Sequence, residues 1–317
     1  MILGADIGGT KTLLGLADDS GLIVDRRYAN ADFQDFASLL ARFLADTQID
    51  ASRIDGGCLA VAGPIADDGR SARLTNLPWH IAGDALSTRF GLPGLRLVND
   101  FAAAAMGAVS SSAAHLQTLQ QGEPLPGAPC LVVGAGTGLG MAIVLPQDAG
   151  WRILAGEGGH VAFAPADAQQ MALWTFLQAR HGRVTWERVV SGPGLAAIHE
   201  FVAGVNLSPE EIAARAALAN PASPEGAEHR SLELFLAAYG AFAGDMALAC
   251  LARGGVFLAG GIAAKLLPLL RQSGFLAAFN AKAEHADIAA RMPIHVATDP
   301  LLGLQGALYL ARSHAQA

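Results

Sequence analysis

Cysteine is scarce in this chain: there are three in 317 residues, and Cys58, Cys130 and Cys250 lie far apart with no CxxC spacing. That scarcity excludes a disulfide framework and a cysteine zinc site, and points to small buried hydrophobes in a reducing compartment. Basic residues are also short, 21 Lys and Arg against 28 Asp and Glu, for a formal charge of −7 and a pI near 5.7. An acidic chain without basic tracts argues against nucleic-acid binding, which begins with neutralising phosphates. No uninterrupted hydrophobic run is long either. The longest apolar stretch, residues 234–261, is broken by Asp245, Arg253 and several glycines. A membrane span needs about 20 mostly apolar residues, so no membrane association is expected, and the mean hydropathy of +0.36 reads as buried helix and strand. The opening Met1-Ile2-Leu3-Gly4-Ala5-Asp6 has neither the basic n-region nor the cleavage site of a secretory signal. A cytoplasmic globular protein is expected. Heptads, HExxH spacing and low-complexity tails are absent too.

What is present alternates apolar runs with amphipathic stretches, the pattern of an α/β protein. Residues 2–7 and 13–17 read as strands joined by Gly8-Gly9-Thr10, with a third strand over 21–27. A helix is expected over 33–45, because Phe36, Leu39, Leu40, Phe43 and Leu44 share one face at 3.6 residues per turn. A strand at 57–62, a short helix at 81–90, a strand at 95–100 ending on Asn99-Asp100, and an alanine-rich helix at 101–108 follow. Then comes a second strand–turn–strand unit: 130–133, a glycine turn over 134–140, and 141–145. Its likeness to the opening unit suggests an internal duplication. Beyond it, helices are expected at 171–181, 187–190 and 209–219, and a polar linker at 220–229. A buried helix at 232–251, a strand at 256–259, a helix from Ile262 and a last helix at 303–312 complete the chain; the last is expected to pack against the N-terminal part.

Two glycine turns come first among the residues that could carry chemistry. Gly8-Gly9-Thr10-Lys11 and Gly134–Gly140 can each aim backbone N–H groups into a concave turn that cradles phosphate, with Thr10, Thr137 and Lys11 adding donors. Taken singly, either is as readily a tight hairpin turn. The Walker A pattern is absent, and so is GxGxxG followed by a helix; both turns lie between strands. Asp6 is acidic within an apolar strand, where an unpaired carboxylate is costly. It either faces a space in which it orients Mg²⁺ or pairs with Lys11. Asn99-Asp100, between strand and helix, is a helix cap or a site where a carboxylate takes a proton from a hydroxyl during phosphoryl transfer. Gly156-Glu157-Gly158-Gly159-His160 presents acceptor and donor together, which suits a polyol. Glu187, ahead of Ser191-Gly192-Pro193-Gly194, reads either as a solvated residue or as a sugar ligand. Gly260-Gly261 lets an adenine approach the backbone or simply packs a strand on a helix.

Jointly these segments resemble the bacterial glucokinases of the actin-like ATPase superfamily, relatives of the repressor–kinase sugar kinases. The likeness spans the chain, in order: Gly4 to Thr10, Leu97 to Phe101, Gly134 to Gly140, Gly156 to Val161, Glu187 to Gly194, and Ala259 to Ile262. Lys11 departs from it, standing where many close bacterial glucokinases carry asparagine; lysine is usual in the wider group. The resemblance implies a two-domain actin-like (ribonuclease H-like) ATPase fold with a central inter-domain cleft. It implies a small α/β domain of residues 1–110 plus 301–317 and a large one of 111–300. Glucose would be held by Asn99, Asp100, Glu157, His160 and Glu187, with Asp100 as the catalytic base. ATP would lie on Gly8, Gly9, Thr10, Lys11, Gly136, Thr137, Gly138, Gly260 and Gly261, and Mg²⁺ would be oriented by Asp6 through water. The expected reaction yields glucose 6-phosphate and ADP, the first step of glycolysis, by a homodimer without structural zinc. A broader hexose or amino-sugar kinase is the alternative. A sugar-responsive repressor would need a DNA-binding segment ahead of Asp6, which only five residues precede, and an actin-like ATPase module would leave Glu157, His160 and Glu187 without a task.

Overall fold

In the computed structural model, which describes residues 1–75, 77–148, 150–218 and 226–315, two compact units divide the chain. One is Met1–Ser112 with Asp148–Ala155 and Asp299–Ala317; the other is Ala113–Gln147 with Gly156–Thr298.

The first unit begins with β1 (Ile2–Ile7), β2 (Lys11–Asp18) and β3 (Gly21–Ala29), three antiparallel neighbours. The helix α1 (Phe36–Thr47) buries the predicted apolar positions Phe36, Leu39, Leu40 and Phe43. It starts three residues later than its periodicity suggests, because Asp35 caps it in a reciprocal box with Ser38. Next are β4 (Gly56–Val61), a small hairpin β5 (Ser71–Arg73) and β6 (His80–Ala82), α2 (Gly83–Phe90), β7 (Leu95–Asn99) and α3 (Asp100–Val109). Ile81, expected in α2, belongs to β6 instead. The sheet order is β3-β2-β1-β4-β7, and β1, β4 and β7 run parallel. The C-terminal helix Leu302–Ala315 packs on α3, β1 and β4, as expected, and places Leu304, Ala307, Leu308 and Ala311 in a core with Ile2, Leu13, Cys58 and Ala103. Small residues permit this approach. A Cβ on Gly306 would overlap the Ala103 carbonyl, and one on Gly107 the Leu302 carbonyl.

The second unit contains β8 (Leu116–Gln120), β9 (Cys130–Ala135) and β10 (Leu139–Gln147); β11 (Gly150–Gly156) follows in the chain, then β12 (Gly255–Ala259) and β13 (Ile294–Ala297). Its strands run in the order β10-β9-β12-β13-β8. As in the first unit, an antiparallel glycine-turned hairpin leads to two parallel strands beyond its first member. The turn is shorter than the glycine pattern suggests: Gly134 and Ala135 extend β9, and Leu139 and Gly140 begin β10.

The helices are α4 (Ala168–His181), α5 (Gly192–Ala203), α6 (Pro209–Leu218) and α7 (Ala227–Cys250), then short α8 (Gly261–Lys265), α9 (Leu267–Leu270), α10 (Phe275–Asn280) and α11 (Ala286–Ala290). The helix expected at 187–190 is a single 3-10 turn, Trp186–Arg188. Most of the linker expected at 220–229 lies outside the described residues, and its last residues already belong to α7. By length and composition α7 could cross a bilayer, but 67% of its most apolar window is buried within the unit. Its Tyr239 meets the Phe275 ring edge to face at 5.6 Å, and Gly240 and Gly244 let α10 pack close.

Candidate active site

Each unit carries one half of the predicted residue set. In the first, the turn from β1 to β2 is closed by the Gly8 N–H donating to the Lys11 carbonyl at 3.0 Å. Asn30 clamps that turn from beneath. Its Nδ2 donates to the Gly8 carbonyl at 2.8 Å, its N–H to the Thr10 carbonyl at 3.0 Å, and its Oδ1 accepts from the buried Thr12 hydroxyl at 2.7 Å. Asn30 is 1% exposed, so it shapes the turn without meeting a ligand. Thr10 and Lys11 are exposed beside it.

Asp6 sits one residue from the end of β1 and Asp100 one residue beyond the end of β7, both at the C-terminal ends of parallel strands. In open α/β sheets this end is where ligands gather. Burial, then the nearby Asp100 charge, push the Asp6 carboxyl up to about 6 against a smaller opposing pull from Arg27. Among the described residues no ion pair joins Asp6 to Lys11, and none donates a hydrogen bond to the Asp6 carboxylate. Gly303, in the first turn of α12 (Leu302–Ala315), makes room for that carboxylate: a Cβ there would lie 2.5 Å from Asp6 Oδ2.

Asn99, rather than Asp100, is the cap of α3. Its Oδ1 accepts from the Phe101 and Ala102 N–H groups at 3.0 and 3.2 Å. Asp100, the first helical residue, has Oδ1 accepting from the Phe101 N–H at 2.8 Å, and burial raises its pKa despite that bond.

In the second unit the turn Gly136-Thr137-Gly138 is closed by the Gly136 N–H donating to the Gly138 carbonyl at 2.8 Å. The Gly192 N–H donates to the Gly136 carbonyl at 2.8 Å, and Glu187 Oε2 accepts from the Leu139 N–H at 2.9 Å. Gly260 (φ 85°) needs the left-handed conformation, and a Cβ there would press on the Ala135 carbonyl, so it lies against the strand leading into the turn. Gly136 and Gly261 both open onto free space. Glu157 and His160 stand exposed at the two ends of a 3-10 turn, Gly158–His160, whose glycines are buried; His160 Nε2 lies 3.8 Å from Glu157 Oε2.

The structure thus brings together Asp6 with Asp100, Glu157 with His160, and Glu187 with the second glycine turn. Asn30 and Gly303 were not singled out by the sequence, and Leu139 and Gly192 were read only as members of glycine-rich segments, not as braces of the turn and of Glu187. Their roles depend on contacts between distant segments, which no local pattern signals.

A glycine-turned hairpin repeated in two α/β units, with acidic residues at strand ends, belongs to the actin-like ATPase fold, and the comparisons agree. The structure of a glucokinase from an Antarctic psychrotroph matches with a TM-score of 0.86 at 29% identity, over 98% of each chain. That of a Balamuthia mandrillaris glucokinase in complex with glucose matches with a TM-score of 0.79 at 25% identity, over 98% of this chain and 93% of that one. The protein is an ATP-dependent sugar kinase, a phosphotransferase. The glucokinase family model matches residues 3–314, and a glucokinase of Nostoc sp. (strain PCC 7120) is 36% identical over 98% of both chains. The chain belongs to the glucokinase family and shares its function.

Proposed function

We propose that this chain transfers the γ-phosphoryl group of ATP to the C6 hydroxyl of D-glucose, with Asp100 as the base. The observation that carries the reading is the pair of carboxylates, Asp6 and Asp100, gathered at the ends of parallel strands where burial raises the pKa of both. Asp100 is fixed by its position on α3 and by the Phe101 N–H. As the C6 oxygen bonds to the γ-phosphorus and the bond to the ADP oxygen breaks, the hydroxyl proton passes to Asp100, which later releases it to water. A raised pKa suits that late transfer. Asn99, Glu157, His160 and Glu187 supply polar groups for the remaining hydroxyls; Asn99 already spends its Oδ1 on the cap, which leaves its amide group as donor. The two glycine turns, with Thr10, Lys11 and Thr137, bind phosphate, and Gly260-Gly261 admits the adenine. Most of the rate gain comes from this positioning and from charge stabilisation.

A divalent cation fits the first unit's carboxylates. Asp6 is mostly ionised at neutral pH, partly buried, and receives no hydrogen bond from the described residues. Among the described residues no three His, Cys, Asp or Glu side chains gather as a metal cluster, so Mg²⁺ would take its other ligands from phosphate and water. Bound there, it neutralises charge on the transferring phosphoryl group. The same reading carries a homodimer in the cytoplasm, the former checked by light scattering during gel filtration.

Asp100→Asn tests the assignment. The expected result is a kcat lower by about 10²–10⁴-fold with the dissociation constant for glucose little changed; near-normal turnover would remove Asp100 as base. A coupled ADP-release assay over glucose, mannose, glucosamine and N-acetylglucosamine tests the substrate, and equal kcat/KM across that panel would overturn glucose specificity.

A further inference from the structure

The second glycine turn contains a contact that the phosphate-binding role does not explain. Gly138 has no positive φ, so it is not glycine for the sake of backbone conformation. What it lacks is a side chain where Glu187 needs space: a Cβ on Gly138 would lie 2.6 Å from Glu187 Oε2 and 3.4 Å from its Cδ. That oxygen is held in place by the Leu139 N–H at 2.9 Å. The segment behind it is fixed as well. Ser191 Oγ donates to the Glu187 carbonyl at 2.7 Å and accepts from the Gly194 N–H at 3.0 Å. The neighbouring Trp186 is buried against Phe163 and Phe242. The backbone that carries Glu187 is therefore fixed, and the Leu139 N–H holds the end of its side chain. Its other oxygen, Oε1, accepts no hydrogen bond from the described residues, and the side chain is only partly buried.

One carboxylate thus has one oxygen committed to the turn and one uncommitted. We propose that Gly138, a residue of the nucleotide turn, sets the affinity for the sugar by leaving the space in which Glu187 is held on the Leu139 N–H, its free oxygen presented to a sugar hydroxyl. This rests on the reading of Glu187 as a sugar ligand. Gly138 and Leu139 act as positioning residues, and the coupling runs both ways. A carboxylate clamped to the turn stiffens it for phosphate, and a turn held by its own ligand steadies the carboxylate for sugar. Such coupling is reciprocal for equilibrium binding.

The test is the binding of glucose without nucleotide, by calorimetry, to the wild type, Glu187→Ala, Gly138→Ala and the double variant. Glu187→Ala is expected to weaken glucose about tenfold or more, the loss of a hydrogen bond to a charged group. Gly138→Ala is expected to weaken it comparably, by displacing the same carboxylate. The double variant is expected to be no worse than Glu187→Ala, because residues acting through one another are not additive. If Glu187→Ala leaves glucose binding unchanged, the underlying reading of Glu187 fails. If Glu187→Ala weakens glucose while Gly138→Ala stays within twofold of wild type, or the two losses simply add, the positioning role of Gly138 is overturned and the reading of Glu187 stands.

A second pair of measurements does not need Gly138→Ala to fold. MgADP binding without sugar is expected to weaken several-fold in Glu187→Ala and to recover in Glu187→Gln, whose amide oxygen still accepts from the Leu139 N–H. Unchanged MgADP binding in Glu187→Ala would overturn the coupling.

Discussion

Asp6 shows at the scale of one residue how a proposed site is kept at the expense of stability. Its carboxyl titrates near 6 in the folded chain and near the ordinary 3.8 when unfolded. The folded state therefore holds the proton more tightly, so this contribution to stability is complete below the unfolded value and is lost as pH rises through about 6. At pH 8 the ionised group costs on the order of 1–3 kcal/mol. Asp6→Asn should melt several degrees higher than wild type at pH 8 without ligands, and the gap should close towards pH 5. Scanning fluorimetry at the two values checks this, while kcat falls in the variant. Asp6 was legible in the sequence because a lone acid in an apolar strand is conspicuous. Gly303 was not: its meaning lies in a contact with a residue almost the whole chain away.

At the scale of elements, the two glycine turns are built alike but braced differently. The first hangs on a buried side chain, Asn30, and the second on Glu187 and the Gly192 N–H. Asn30→Ala removes both side-chain hydrogen bonds and strands the buried Thr12 hydroxyl, so stability should fall by about 2–3 kcal/mol and the KM for ATP should rise. Urea unfolding and initial rates at varied ATP check both. The hairpins themselves were readable, since apolar runs flank each glycine cluster. Short β8, β11 and β13 were not, because segments such as Leu116–Gln120 mix polar and apolar residues without clean alternation. Helix α5 was hidden behind Gly192-Pro193-Gly194, which looks like a breaker. In fact Ser191 caps it with proline in the first turn, where proline is well tolerated.

Over the whole molecule, the first unit is assembled from both ends of the chain. The helix α12 fills the face formed by α3, β1 and β4 through contacts that leave no space at Gly306. Gly306→Ala should therefore lower the melting temperature, at a cost of about 1–3 kcal/mol for overpacking, although residue 306 is not among the predicted site residues. Thermal melting followed by circular dichroism checks it.

The position of α12 also matters while the protein is being made. The three parallel strands of the first unit are complete by Asn99, yet the helix that covers one face begins only at Leu302. At about 5–20 residues per second, a ribosome needs roughly 10–40 seconds to cross that interval. Until it is crossed, Ile2, Leu13 and Ala60 lack the partners that α12 supplies in the folded chain. The unit that carries Asp6 and Asp100 receives its last helix only after every strand of the second unit has been made.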